Sequence, residues 1–203
     1  PSELADILRG KGEIPLFQRR LAICREIGEV LVRHFSGRFH HLVERAEGSA
    51  VRMVRLLVSF FPSFDDSSEW EGERMLFYKR AQLAPAMLAE RWLGTGPGAF
   101  FDLDQLTVSA DYKIPQVLRK IGILSYSPQL ARLVDSRRII PVNSREELEI
   151  RAATILATEM MEELLKEKIP EITSQKIDRL LWLLGQQKSE EDRPYHRTRT
   201  IAY

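Results

Sequence analysis

Two short stretches of the chain place ionisable and aromatic side chains where an exposed helix face has no need of them. The first, "LFYKRAQ", sets Tyr78, Lys79, Arg80 and Gln82 within an apolar helical stretch. Tyr78 and Gln82 are four apart and share one face, and Lys79 lies beside that face rather than opposite it. The second, "LTVSADYKIPQVL" over residues 106–118, joins Asp111, Tyr112 and Lys113 where a loop becomes a helix. Backbone N–H groups at a helix start attract anions, and the adjacent phenol and amine could donate to the same group. His196, Arg197 and Arg199 add cationic groups in the tail. These patterns fit capture of a small anionic molecule, or polar recognition by a helical interaction module.

Other candidate motifs point to plainer roles. "GTGPG" has a glycine spacing that could approach a phosphate, but it lacks a preceding strand and a following Lys-Ser or Lys-Thr, so it reads as a linker. His40 and His41 are adjacent, about 100° apart on a helix, which argues against shared metal coordination. His34 has no partner at ligand spacing, so no metal or other cofactor is expected. The acids of "SREELEIR" and "MMEELLKEK" read as solvated helix faces, with Glu149 and Arg151 less certain beside Ile150.

Composition narrows the classes further. With 203 residues, 44% of them hydrophobic, the chain can bury one sizeable core, and a single domain over 1–203 is expected. Thirty basic residues against 29 acidic ones create no global field for nucleic acid or membrane, so any anion site must be local. No apolar run reaches the roughly 18 residues of a membrane span, and no signal peptide is visible. The one cysteine, Cys24, excludes an internal disulfide, fits a reducing cytoplasm and is expected to pack in the interior.

The elements that must carry these groups read as helices almost throughout. Ser2 caps a first helix punctuated by Gly10 and Gly12, and Pro15 starts a long one ending near Gly37. A short helix stops at Gly48, Ser49 opens another that ends at Pro62, and "SFDDSSEWEG" reads as an irregular connection. Helical spacing resumes over 72–94, with Pro85 expected to kink or divide it. Later helices are expected from about Pro115 to Lys120, from Pro128, from a Ser144–Glu147 capping box to about Lys168, and from Thr173 or Ser174 through Gly185. Strand signals are weak, and the tail "RPYHRTRTIAY" is too polar to pack as a helix.

"FYKRAQL", "TVSADYKIPQVL", "GILSYSPQL", "EELEIRAATI", "IDRLLW" and the terminal "HRTRTIAY" together resemble the queuosine salvage family, the queuosine 5′-phosphate N-glycosylases. The resemblance runs from "EIPLFQRRLAICREIGEVL" to Tyr203. It implies an all-α domain similar to helix-hairpin-helix DNA glycosylases, which suits the expected helix, Gly122 turn and helix. It also implies cleavage of the N-glycosidic bond of queuosine 5′-monophosphate, without a metal, to give queuine and ribose 5-phosphate. Intact nucleic acid is not an expected partner. Family members carry further residues before the point matching Pro1, including an aromatic-rich segment on the base side, so a complementing N-terminal segment is expected. Their tails commonly end in two tyrosines, where this chain has Ala202 before Tyr203.

The resemblance assigns roles residue by residue. Asp111 matches the catalytic aspartate and Lys79 the site lysine. A departing base leaves positive charge on the sugar, which a carboxylate can stabilise or attack. Lys79 is expected to position phosphate or ribose and to hold Asp111 ionised. Tyr112, Lys113 and Tyr78 are candidates for substrate binding. Asp178 and Trp182, four apart on the last helix, would face the same way. The acid could accept from the amino groups of a deazaguanine while the indole covers its ring. The rival expectation is a noncatalytic helical module that binds a modified nucleotide or a protein.

Overall fold

The computed structural model describes residues 2–9, 12–190 and 192–203, so the turn expected at Gly10 lies outside the described residues. The chain is mostly helical. In chain order come α1 (Ser2–Ile7), α2 (Phe17–Phe35), α3 (Phe39–Arg45), α4 (Ala50–Phe60), β1 (Ser67–Trp70), β2 (Glu73–Leu76) and α5 (Lys79–Arg91). They are followed by α6 (Lys113–Lys120), α7 (Pro128–Asp135), β3 (Ile139–Ile140), α8 (Arg145–Lys166), α9 (Ser174–Gln186) and β4 (Arg197–Thr198).

The expected helix starts at Ser49, Ser144 and Thr173 are present, each hydroxyl accepting from the backbone N–H three residues on. Ser49 has help from the buried Asp102, whose carboxylate accepts from Ser49 Oγ and from Ala50 N, both at 2.5 Å. The "SFDDSSEWEG" stretch is more ordered than its sequence suggests. β1 and β2 pair antiparallel across Glu71 and Gly72, both at positive φ as a two-residue hairpin loop of this hand requires. The expected helix over 72–94 is therefore shortened. Residues 73–76 form β2, Tyr78 at φ 48° turns the chain, and α5 begins at Lys79. Pro85 does not divide α5, which continues through it to Arg91. Gly98 in "GTGPG" packs so tightly that a Cβ there would lie 2.5 Å from the Leu88 carbonyl oxygen. That loop is a packed connection.

The interior has two main parts. Phe35, Leu42, Met53, Leu57, Phe61 and Ala81 join α2 through α5, while Val117, Leu118, Ile177 and Leu181 join α6 to α9. Burying each large aliphatic side chain contributes about 1.5–3 kcal/mol. Cys24 takes no part in this. It is exposed on α2, whose inward stripe is carried by Ile27, Val30 and Leu31. α6 and α9 approach closely because Gly185 has no side chain: a Cβ there would lie 2.7 Å from Lys113 Cδ and 2.9 Å from Val117 Cγ2. The polar tail also finds a place, pairing as β4 in parallel with β3 and burying His196 to 2% exposure. Among the described residues no helix is long and apolar enough to cross a membrane.

Candidate active site

Between the two parts of the core runs the extended segment 106–110, with Leu106, Val108, Ser109 and Ala110 buried. Among the described residues no strand pairs with it, yet buried backbone polar groups require partners. Side chains from three helices supply them. Gln82 of α5 accepts from Thr107 N at 2.8 Å, and Gln175 of α9 donates to the Thr107 carbonyl. Asp178 of α9 accepts from Ser109 N at 3.3 Å, and Arg151 of α8 donates through Nε to the Ala110 carbonyl at 2.9 Å. The next residue is Asp111.

One oxygen of Asp111 caps α6, accepting from Lys113 N at 2.7 Å and Ile114 N at 3.3 Å. The other lies 3.6 Å from Lys79 Nζ, and both side chains are largely buried. The anion-attracting helix start is thus occupied by the chain's own carboxylate. That answers why an aspartate precedes Tyr112 and Lys113. It fastens one end of its carboxylate to the helix and turns the other toward a cation.

This pair lies at a cleft of about 690 Å³. Lys79, Asp111 and Ser109 share the lining with Asp178 and Trp182 of α9, and with the apolar side chains of Leu83, Met87, Phe100 and Phe101. Burial pushes the Asp178 carboxyl up to about 6, opposed by hydrogen bonding from Ser109, raised further by Asp111 and lowered by Lys79. Trp182 lines the cleft while 49% exposed. Arg179 of α9 reaches Glu90 of α5 in an ion pair between two lining residues.

Lys79, Asp111, Asp178 and Trp182 are therefore brought together. Three other candidates are not among the cleft's lining residues. Tyr78 packs against the α2–α5 core as its backbone turns into α5. The Lys113 ammonium donates to Gln116 Oε1 at 3.0 Å and to the Gly185 carbonyl at 3.3 Å. Tyr112 stands beside Tyr195, ring centroids 4.8 Å apart.

The "SREELEIR" acids divide. Glu146 and Glu149 are exposed, but Glu147 and Arg151, four apart on the inward face of α8, are fully buried. Arg151 grips Asp66 with both terminal nitrogens, at 2.9 and 2.6 Å, while Glu147 accepts from Tyr203 Oη at 3.0 Å and from Asn143 N at 3.0 Å. His196 Nε2 meets the same tyrosine hydroxyl at 3.2 Å. Burial, with Arg151 nearby, pushes the His196 imidazole down to about 4.

The whole chain, residues 1–203, matches the model of one family, described as queuosine salvage protein. The chain belongs to the queuosine salvage protein family. Within that family it is similar to proteins named queuosine 5′-phosphate N-glycosylase/hydrolase. It is 45% identical to that of Sphaerobacter thermophilus over 99% of this chain and 62% of the relative. It is 36% identical to that of Dictyostelium discoideum over 94% and 60%, and 34% identical to that of Mus musculus over 99% and 63%. The chain thus spans about three fifths of the length of these curated relatives.

His40, His41 and Glu44 of α3 come closer together than the adjacency of the two histidines suggests. Each offers a ligand atom, and these lie within 4.8 Å of one another. His40 and Glu44 share a face at i, i+4 spacing, and the His41 ring stands with its centroid 4.2 Å from that of His40. His41 Nδ1 is paired with the Phe35 carbonyl at 2.9 Å. None of the three lines the cleft.

Proposed function

We propose that the chain carries the hydrolytic site for queuosine 5′-monophosphate, cleaving the N-glycosidic bond to release queuine and ribose 5-phosphate. The observation that supports this most is the Asp111–Lys79 pair beside a cleft that Asp178 also lines. Hydrolysis of a nucleoside bond builds positive charge on the ribose ring. The free oxygen of Asp111 stabilises that charge or attacks the anomeric carbon to give a transient ester, which water then cleaves. Its capped oxygen fixes the approach. Asp178 accepts from the amino groups of the base and Trp182 covers the ring.

The fold is read as the helix-hairpin-helix glycosylase type, with α6, the Gly122 turn at φ 80° and α7 as the hairpin. The chain is read as one domain acting in the cytoplasm, complemented by a preceding N-terminal segment on the base side of the cleft. Incubation with queuosine 5′-monophosphate and chromatography of the products tests the activity. Free queuine and ribose 5-phosphate are the expected products. Tight binding without products would favour the noncatalytic module instead.

Lys79 is the cation nearest the reacting carboxylate and is assigned to the phosphate or ribose. Lys79→Ala should weaken discrimination between queuosine 5′-monophosphate and unphosphorylated queuosine, because a buried phosphate loses a charge-assisted partner contributing about 1.5–3 kcal/mol. The ratio of the two kcat/KM values measures this. An unchanged ratio would remove the phosphate role from Lys79 and leave only its place beside Asp111.

A further inference from the structure

We propose that Arg151 is a positioning residue that holds Asp111 and Lys79 at their reacting separation. This rests on the hydrolytic reading above. Arg151 touches neither partner's side chain. Its Nε donates to the carbonyl of Ala110, the residue before Asp111. Its two terminal nitrogens hold the Asp66 carboxylate, which in turn accepts from Lys79 N at 3.2 Å. Asp66 also accepts through its backbone carbonyl from Phe77 N and Tyr78 N, at 3.0 and 3.1 Å, in the turn that aims α5. One rigid guanidinium therefore ties the segment ending at Asp111 to the start of the helix carrying Lys79.

The surroundings leave that guanidinium little freedom. Its carbon lies 3.9 Å from the centroid of the Phe77 ring and 4.8 Å from that of Tyr203, and the residue is 1% exposed. Glu147, 3.7 Å from Arg151 and bonded to the Tyr203 hydroxyl, extends the network to the chain's last residue. Such a buried network is weak as a source of stability, since apolar residues of similar volume often serve a fold as well or better. It does meet the need for geometry, because displacing reacting groups by about 1 Å can cost on the order of 100-fold in rate. Lysine cannot substitute, because its donors sit on one nitrogen, whereas Arg151 directs N–H groups from three nitrogens of a planar fork.

The test is Arg151→Lys, with Asp66→Asn as a second variant that loosens the other end of the fork should the first not fold. For each folded variant, kcat should fall by roughly 30- to 100-fold while KM stays within about threefold. A readout independent of turnover is the ¹³C resonance of reductively dimethylated Lys79, identified by its loss in Lys79→Arg. In the parent protein this resonance should move when Asp111 becomes Asn, reporting their proximity. In the Arg151→Lys background that response should vanish. A folded variant with kcat per active molecule unchanged and the Lys79 response intact overturns the proposal and makes Arg151 merely structural. Absence of turnover in the parent would count against the hydrolytic reading alone, because the resonance experiment still decides the positioning role.

Discussion

Asp111→Asn should reduce single-turnover hydrolysis of queuosine 5′-monophosphate by roughly 100-fold or more, about 2.7 kcal/mol at the barrier, while the fold and much of the ligand affinity survive. The amide is isosteric, and its oxygen can still accept from Lys113 N and Ile114 N to cap α6. What it cannot do is offer negative charge to the cation developing on the ribose, or displace the base. Its NH₂ would also face the Lys79 ammonium, now 3.6 Å from a carboxylate oxygen. The loss should therefore appear in kcat, with dissociation of the substrate little affected. Single-turnover rates measured alongside binding would separate the two. Unchanged hydrolysis in Asp111→Asn would remove this residue from the mechanism.

The helices were readable in the sequence because their signals are local. Ser49, Ser144 and Thr173 each announce a helix start within three residues, and the hydroxyl bonds are present. The hairpin over 67–76 was not readable, because "SSEW" and "ERML" carry no apolar alternation and Glu71-Gly72 is not a common pair for such a turn. Asp111 and Lys79 could be singled out as unusual, but the reason for the unusual sequence around Asp111 is non-local. Residues 106–110 run extended with their backbone satisfied by Gln82, Gln175, Asp178 and Arg151, which stand 25 to 69 positions away in the chain for the contacts to Thr107 and Ser109. Arg151 and Glu147 illustrate the limit well. On the sequence they match an i, i+4 surface pair, and only the contacts of Asp66 and Tyr203 with the same face of α8 turn them inward. The tail likewise reads as polar, yet His196 and Tyr203 are drawn into that network.

Asp178 should give the chain a pH dependence that separates base recognition from acid catalysis. Burial raises its carboxyl from 3.8 to about 6. The folded state thus favours the uncharged form, so stability tied to this group is full below pH 3.8 and is lost as pH rises through about 6. Asp178→Asn removes that ionisation and should stabilise the fold at pH 7, by about 1–2 kcal/mol on the scale of such buried acids. The same change should harm function. If the carboxylate accepts from the amino groups of the base, kcat/KM of the parent should rise as pH passes about 6, as the fraction ionised increases. The Asn variant, presenting a donor where an acceptor is needed, should lose roughly 10- to 100-fold in kcat/KM and lack that limb. A thermal melt and a kcat/KM profile from about pH 5 to about 8, spanning the carboxyl's titration, measure both effects on the same preparations. A parent profile that falls rather than rises through pH 6 would reverse the assignment. Asp178 would then act in its protonated form, donating to the leaving base while Asp111 faces the anomeric carbon, one carboxyl group serving as acid and the other as nucleophile.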